Sequence, residues 1–165
     1  MRRRNPLVRA ALLGLLLGAA GPLHADAPLA PPADFTHEHE AATVIGSVVD
    51  GSTTILPLGT DVDAMWRIPV WARWYQLAPD GLSIIVLNNG GNLLGTRDPE
   101  QIVATVWYVK AGAVLQQDFT LIETMNPADM PTTTGHYLWL TTYRSAESGW
   151  ELELSDGKTV TISYR

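Results

Sequence analysis

From Thr43 onward the chain alternates apolar and polar residues, and turn signals interrupt the alternation at short intervals. Strict alternation places one face of a strand in a core and the other in water, which is typical of antiparallel sheets. An Asp156-Gly157 pair between two such runs predicts a hairpin. The alternation is clearest in the last third of the chain, over residues 137–143, 150–154 and 160–164.

Earlier runs are shorter but predict strands for the same reason. Residues 44–49 end at Asp50-Gly51, and residues 54–58 contain Pro57, which predicts an edge position because proline cannot donate to a ladder. The nearly all-apolar run 82–87 has the composition of a central strand. Residues 102–109 and 115–122 form a hairpin candidate across Ala111-Gly112.

Residues 63–78 fit two interpretations. A helical stripe would consist of Val70, Trp71, Trp74, Leu77 and Ala78. A strand would instead place Trp71, Tyr75 and Leu77 on one face with Arg73. The segment ends at the turn residues 79–81, just before another strand, and this ending favours a hairpin.

These runs predict an all-β fold, an antiparallel β-sandwich of about eight or nine short strands. At fold level, the stretch Gly135-His136-Tyr137-Leu138-Trp139 resembles the start of the penultimate strand of immunoglobulin-like sandwiches, where a tyrosine packs at a corner. Residues 82–92 resemble a strand and loop of bacterial adhesion-type modules. The resemblance covers under a fifth of the chain and implies an immunoglobulin-like sandwich.

The first 25 residues have the pattern of a secretory signal peptide. Three arginines at positions 2–4 precede an uncharged apolar run, residues 10–20, and Ala25 offers a small residue for cleavage. The run is too short to anchor the chain across a bilayer core, which needs about 20 residues. Residues 26–40, rich in Pro, Ala, His and Glu, predict a flexible tether. Residues 41–165 form the expected domain, periplasmic or secreted, with no membrane span after cleavage.

Charge and cysteine content restrict the classes of partner and of chemistry that we expect for this domain. The chain carries 11 basic and 17 acidic residues, and four of the basic residues precede Asp26. After cleavage, 7 basic and 17 acidic residues remain, which gives the processed chain a net charge of −10. Such a surface repels phosphate, which argues against nucleic acid as a partner. The sequence contains no cysteine, so no disulfide stabilises the fold and no cysteine can act as a nucleophile.

We find no catalytic constellation in the sequence. His136 alternates with leucines, and there is no Gly-x-Ser-x-Gly motif. Two other histidines, His37 and His39, are one residue apart, and imidazole is a common ligand of Zn²⁺ and Cu²⁺. We therefore expect no enzyme and no resident cofactor. The alternative is a periplasmic copper- or zinc-binding protein using His37, His39 and His136.

The densest aromatic and basic stretch of the domain predicts a contact site for a protein partner if its tryptophans are exposed; the alternative is that they are buried in the core. Tryptophan and arginine are frequent anchors of protein interfaces. We therefore expect a non-catalytic binding or assembly module that contacts another cell-envelope protein, through an exposed edge strand or through this stretch. Its residues are Trp66, Arg67, Trp71, Arg73 and Trp74.

Overall fold

Short strands dominate the computed structural model, which describes residues 29–59, 64–88 and 90–165. A helix, α1 (Leu121–Thr124), and a 3₁₀ turn (Pro127–Asp129) separate the ninth strand from the tenth. The thirteen strands of the described residues are β1 (Phe35–Glu38), β2 (Ala42–Ser47), β3 (Ser52–Pro57), β4 (Trp66–Ile68), β5 (Tyr75–Leu77), β6 (Ser83–Leu87), β7 (Leu93–Leu94), β8 (Ile102–Lys110), β9 (Ala113–Thr120), β10 (Tyr137–Leu138), β11 (Leu140–Ser145), β12 (Gly149–Leu154) and β13 (Thr159–Ser163).

These strands pair into antiparallel sheets. The N-terminal sheet has the order β1-β2-β3-β4, the middle sheet β5-β6-β8-β9, and the C-terminal sheet β11-β12-β13. The two short strands β7 and β10 pair with each other. The predicted all-β antiparallel class is therefore confirmed, as are the hairpins β5–β6, β8–β9 and β12–β13.

The middle sheet has an apolar core on each of its faces. Ile84 and Val86 of β6 pack into the N-terminal core with residues of β2, β3 and β4, whereas Ile85 and Leu87 pack into the C-terminal core with residues of β12 and β13. Neighbouring residues of a strand point to opposite faces, so all five residues of β6 are buried. The arrangement has three layers, and the sequence correctly predicted that residues 82–87 form a central strand.

The structure has more strands than the eight or nine expected. The predicted segments 63–78 and 137–143 are each divided into two strands, β4 and β5 in the first and β10 and β11 in the second. The two-residue strand β7 lies outside every predicted run, because an alternation cannot be recognised in so few residues.

Two sequence expectations need correction. The tether predicted over residues 26–40 is wrong for Phe35–Glu38, which pairs with β2 as a strand because the Phe35 ring packs over Gly46. Pro57 does not mark an edge strand, since β3 lies between β2 and β4. The pairing of β3 with β4 stops at Ile55. Pro57 lies beyond it, so the N–H that proline lacks is not needed for a hydrogen bond to β4.

The predicted signal peptide, residues 1–25, lies outside the described residues. Within the described ranges we find no helix of the length and apolar character that crossing a membrane requires.

Candidate functional site

Two histidines and a tyrosine meet where the edge of the N-terminal sheet approaches the edge of the middle sheet. The Nδ1 atom of His37 lies 2.8 Å from the Tyr75 hydroxyl oxygen, and the Nε2 atom of His39 lies 3.1 Å from the same oxygen. His37 belongs to β1, and Tyr75 begins β5. Alternate residues of an extended chain point to the same side, which directs both imidazoles to one hydroxyl. We call His37, His39 and Tyr75 the His–Tyr cluster.

Aromatic packing holds β1 against this site. The Phe35 ring stacks on the His37 ring with centroids 4.6 Å apart and meets the Trp71 ring edge-on at 6.2 Å. A Cβ atom at Gly46 would lie only 2.1 Å from the Phe35 ring. Glycine at position 46 therefore leaves the space that the Phe35 ring fills beside the cluster.

Burial shifts the pKa values of two members of the cluster, Tyr75 and His39, in the direction that favours their neutral forms. It raises the pKa of Tyr75 to about 12, with a smaller contribution from the nearby Tyr143. Burial also lowers the pKa of His39, and the charge of His37 lowers it further. At neutral pH the Tyr75 phenol is therefore protonated, and its hydroxyl can donate to one imidazole nitrogen and accept from the other.

The third histidine of the predicted metal site is not part of this cluster. His136 immediately precedes β10, and its carbonyl accepts a hydrogen bond from the Thr133 N–H at 2.8 Å. In the part of the chain that the structure describes, no three His, Cys, Asp or Glu side chains form a group able to hold a metal. The structure thus brings His37 and His39 together but does not bring His136 to them.

The tryptophans of the predicted contact site are divided between the two cores and the surface. Trp66 is only 6 % exposed in the N-terminal core, and its indole N–H donates to the Gly81 carbonyl at 3.1 Å. Trp74 packs against the C-terminal core and lies close to Gly91. These two side chains do not form a common surface.

Trp71 and Arg73 do lie together, but a preceding segment of the chain contacts both. The guanidinium of Arg73 lies 5.2 Å from the centroid of the Trp71 ring and donates to the Ala30 carbonyl. The Trp71 indole N–H donates to the Ala33 carbonyl at 3.2 Å. Arg67 pairs elsewhere, with Asp50 at 3.1 Å. The five residues therefore do not form the single aromatic and basic site that the sequence predicts.

An exposed sheet edge is the other notable surface. β9 closes one side of the middle sheet, has eight residues, and is the longest edge strand among the described residues. Five of its eight positions are exposed. Val114 and Leu115 are 38 % and 40 % exposed and, as neighbours in a strand, point to opposite faces.

Sequence reasoning missed Tyr75 and the extended conformation of Phe35–Glu38. The His-x-His spacing contained part of the signal, because it places both rings on one side once the segment is extended. Their common hydrogen-bond partner, Tyr75, lies on the three-residue strand β5, and nothing local in the sequence links this residue to positions 37 and 39.

No protein-family model, curated protein or solved structure matches this chain. Inferences about function therefore depend on the residues themselves.

Proposed function

We propose that the chain is an exported, non-catalytic binding or assembly module of the cell envelope that acts through contacts with another protein. Export is supported by the basic start and short apolar run within residues 1–25. The acidic charge of the processed chain favours a protein partner over nucleic acid. The observation that carries the proposal is the long exposed edge of β9.

An edge strand presents unpaired backbone N–H and C=O groups, which can add a strand from another chain. Proteins usually protect such edges with proline, lysine or a very short strand. β9 contains no proline and no basic residue over its eight positions. Its one charged residue, Asp118, accepts a hydrogen bond from the Thr105 hydroxyl at 2.8 Å, so it is already engaged by the neighbouring strand.

The side chains of β9 suit an extended apolar segment. Val114 and Leu115 offer apolar surface on the two faces of the strand. A partner strand placed beside β9 would cover both with its own alternating side chains, while backbone hydrogen bonds would extend the middle sheet. The proposed partner is therefore an envelope protein that supplies an extended segment with apolar residues.

The finer description of the fold belongs to the same proposal. The Gly135–Trp139 motif supports an immunoglobulin-like relationship, in which the sandwich carries an additional sheet. Tyr137 of this motif is partly buried and packs against the C-terminal core. The Arg97 guanidinium carbon lies 4.5 Å from the centroid of its ring.

Site-specific photocrosslinking in the producing cell tests the contact. A photoreactive residue replaces Gln116 on β9 in one variant and Thr161 on the opposite edge strand β13 in another; both positions are exposed. We expect one discrete envelope-protein adduct from position 116 and none from position 161.

The variant Leu115→Lys should abolish this adduct, because a lysine on the edge opposes strand addition. Val49→Lys adds the same charge at a turn residue that is 92 % exposed, and it should leave the adduct unchanged. Equal adducts from positions 116 and 161, or an adduct that survives Leu115→Lys, would contradict the proposal.

A further inference from the structure

We infer that His37, His39 and Tyr75 form a binding site for a divalent copper ion. The inference is independent of the proposed protein contact, because the His–Tyr cluster lies on β1 and β5 whereas the contact lies on β9. It also differs from the metal site expected from the sequence, since a tyrosine oxygen replaces His136 as the third donor.

Three donor atoms converge in the His–Tyr cluster. Both imidazole nitrogens already lie within 3.1 Å of one phenol oxygen. Adjacent donors of a square-planar site with bonds of about 2.0–2.1 Å lie about 2.9 Å apart. A tetrahedral site with the same bonds needs about 3.3 Å. The 2.8 Å separation is closer to the square-planar value, and the 3.1 Å separation lies midway between the two values.

The chemistry of the three donors favours copper. Two imidazoles and one oxygen form a nitrogen and oxygen set, and tetragonal sites of this kind favour Cu²⁺. Among divalent first-row metals, affinity for a given site is highest for Cu²⁺, above Zn²⁺. The cluster therefore predicts copper rather than zinc.

The cluster is open to solvent on one side and supported by an aromatic ring on the other. His37 and His39 are exposed, so an ion can reach their nitrogens from solvent. Phe35 stacks on His37 and limits its reorientation. Three protein donors leave a fourth planar position for water, as in open metal sites.

Binding must remove the phenol proton, which passes to the solvent as the oxygen becomes a ligand. The positive charge of a bound ion favours this loss of the proton, because it stabilises the deprotonated oxygen. Coordination by the deprotonated oxygen gives a phenolate-to-copper charge-transfer band in the visible spectrum, which a site made of imidazoles alone does not produce.

Titration of the purified chain with copper sulfate, followed by calorimetry and visible absorption, tests the site. We expect one Cu²⁺ per chain and the charge-transfer band. Tyr75→Phe should lose the band and bind Cu²⁺ at least about tenfold more weakly, since even residues that only orient a ligand typically contribute 10- to 100-fold to metal affinity. His37→Gln should weaken binding similarly. Zinc sulfate should bind more weakly than copper sulfate under the same conditions.

The remaining histidine of the predicted domain provides a matched control. His24 lies within the predicted signal peptide, residues 1–25, so the control is His136→Ala, which should bind copper like the wild type. Leu115→Lys should also bind normally, which separates this inference from the β9 contact. Wild-type affinity and spectrum in Tyr75→Phe would overturn the inference, and so would loss of binding in His136→Ala. Circular dichroism verifies the fold of each variant, and His37→Gln decides the matter if Tyr75→Phe does not fold.

Discussion

The two most deeply buried tryptophans differ in one respect, and this difference predicts unequal effects of the same substitution. Trp139 and Trp150 are both 0 % exposed and both belong to the C-terminal core. The Trp139 indole N–H donates to the Gly91 carbonyl at 2.8 Å. The Trp150 indole N–H is buried without a hydrogen-bond partner among the described residues.

The substitutions Trp139→Phe and Trp150→Phe remove the same atoms, so their shared cost of lost burial and a new cavity, about 1–3 kcal/mol, largely cancels in the comparison. The change at Trp139 also leaves a buried carbonyl without its donor, which costs about 1–3 kcal/mol. The change at Trp150 removes a buried N–H that has no hydrogen-bond partner, so this variant regains a free energy of unfolding of similar size. The two contributions add in the comparison, so we expect Trp139→Phe to lower the free energy of unfolding by at least about 2 kcal/mol more than Trp150→Phe.

Urea denaturation followed by far-ultraviolet circular dichroism measures both free energies without relying on tryptophan fluorescence. The slopes of the two transitions should agree, so that the midpoints compare stability alone. Equal destabilisation by the two variants, or a larger loss for Trp150→Phe, would refute the assignment of hydrogen-bonding states in this core.

Three further outcomes are expected. Gly46→Ala should displace the Phe35 ring and, by overcrowding, lower the free energy of unfolding measured in urea by about 1–3 kcal/mol. Gly95→Ala is the control: its added Cβ meets nothing within 4 Å, so it should lower that free energy much less. Hydrogen bonds from the Thr120 backbone and side chain lower the pKa of Glu123. The stability that this capping pair contributes is therefore complete above the usual carboxyl pKa and is lost as the pH falls through the lowered pKa of Glu123. Glu123→Gln should flatten this part of the stability profile when the free energy of unfolding is measured between pH 7 and about 3. Mass spectrometry of the exported chain should find an N-terminus near Asp26, and an intact Met1 would contradict the signal peptide.

Local patterns were sufficient where strands are long or fully buried. The apolar run that became β6 and the alternation that became β12 and β13 each repeat over at least five residues, so their structure could be predicted from the sequence. The hairpin at residues 156–157 could be predicted too, because Asp-Gly adopts the turn conformation readily.

Long-range packing determined what the sequence could not predict. β1 forms because Phe35 finds Gly46 and Trp71, and none of these contacts is visible in the composition of residues 26–40. The tryptophans of residues 66–74 enter different cores because the chain passes from the N-terminal sheet to the middle sheet between β4 and β5. Proximity of His37 to Tyr75 likewise depends on how two sheet edges meet, 38 residues apart in the sequence.

The two faces of β6 have a consequence for the way the domain comes apart. Because one five-residue strand contributes to both cores, neither outer sheet can be separated from the rest without exposing apolar surface on the middle sheet. Cleavage of the chain after β6 should therefore not yield two autonomous fragments, and melting should proceed as a single cooperative event.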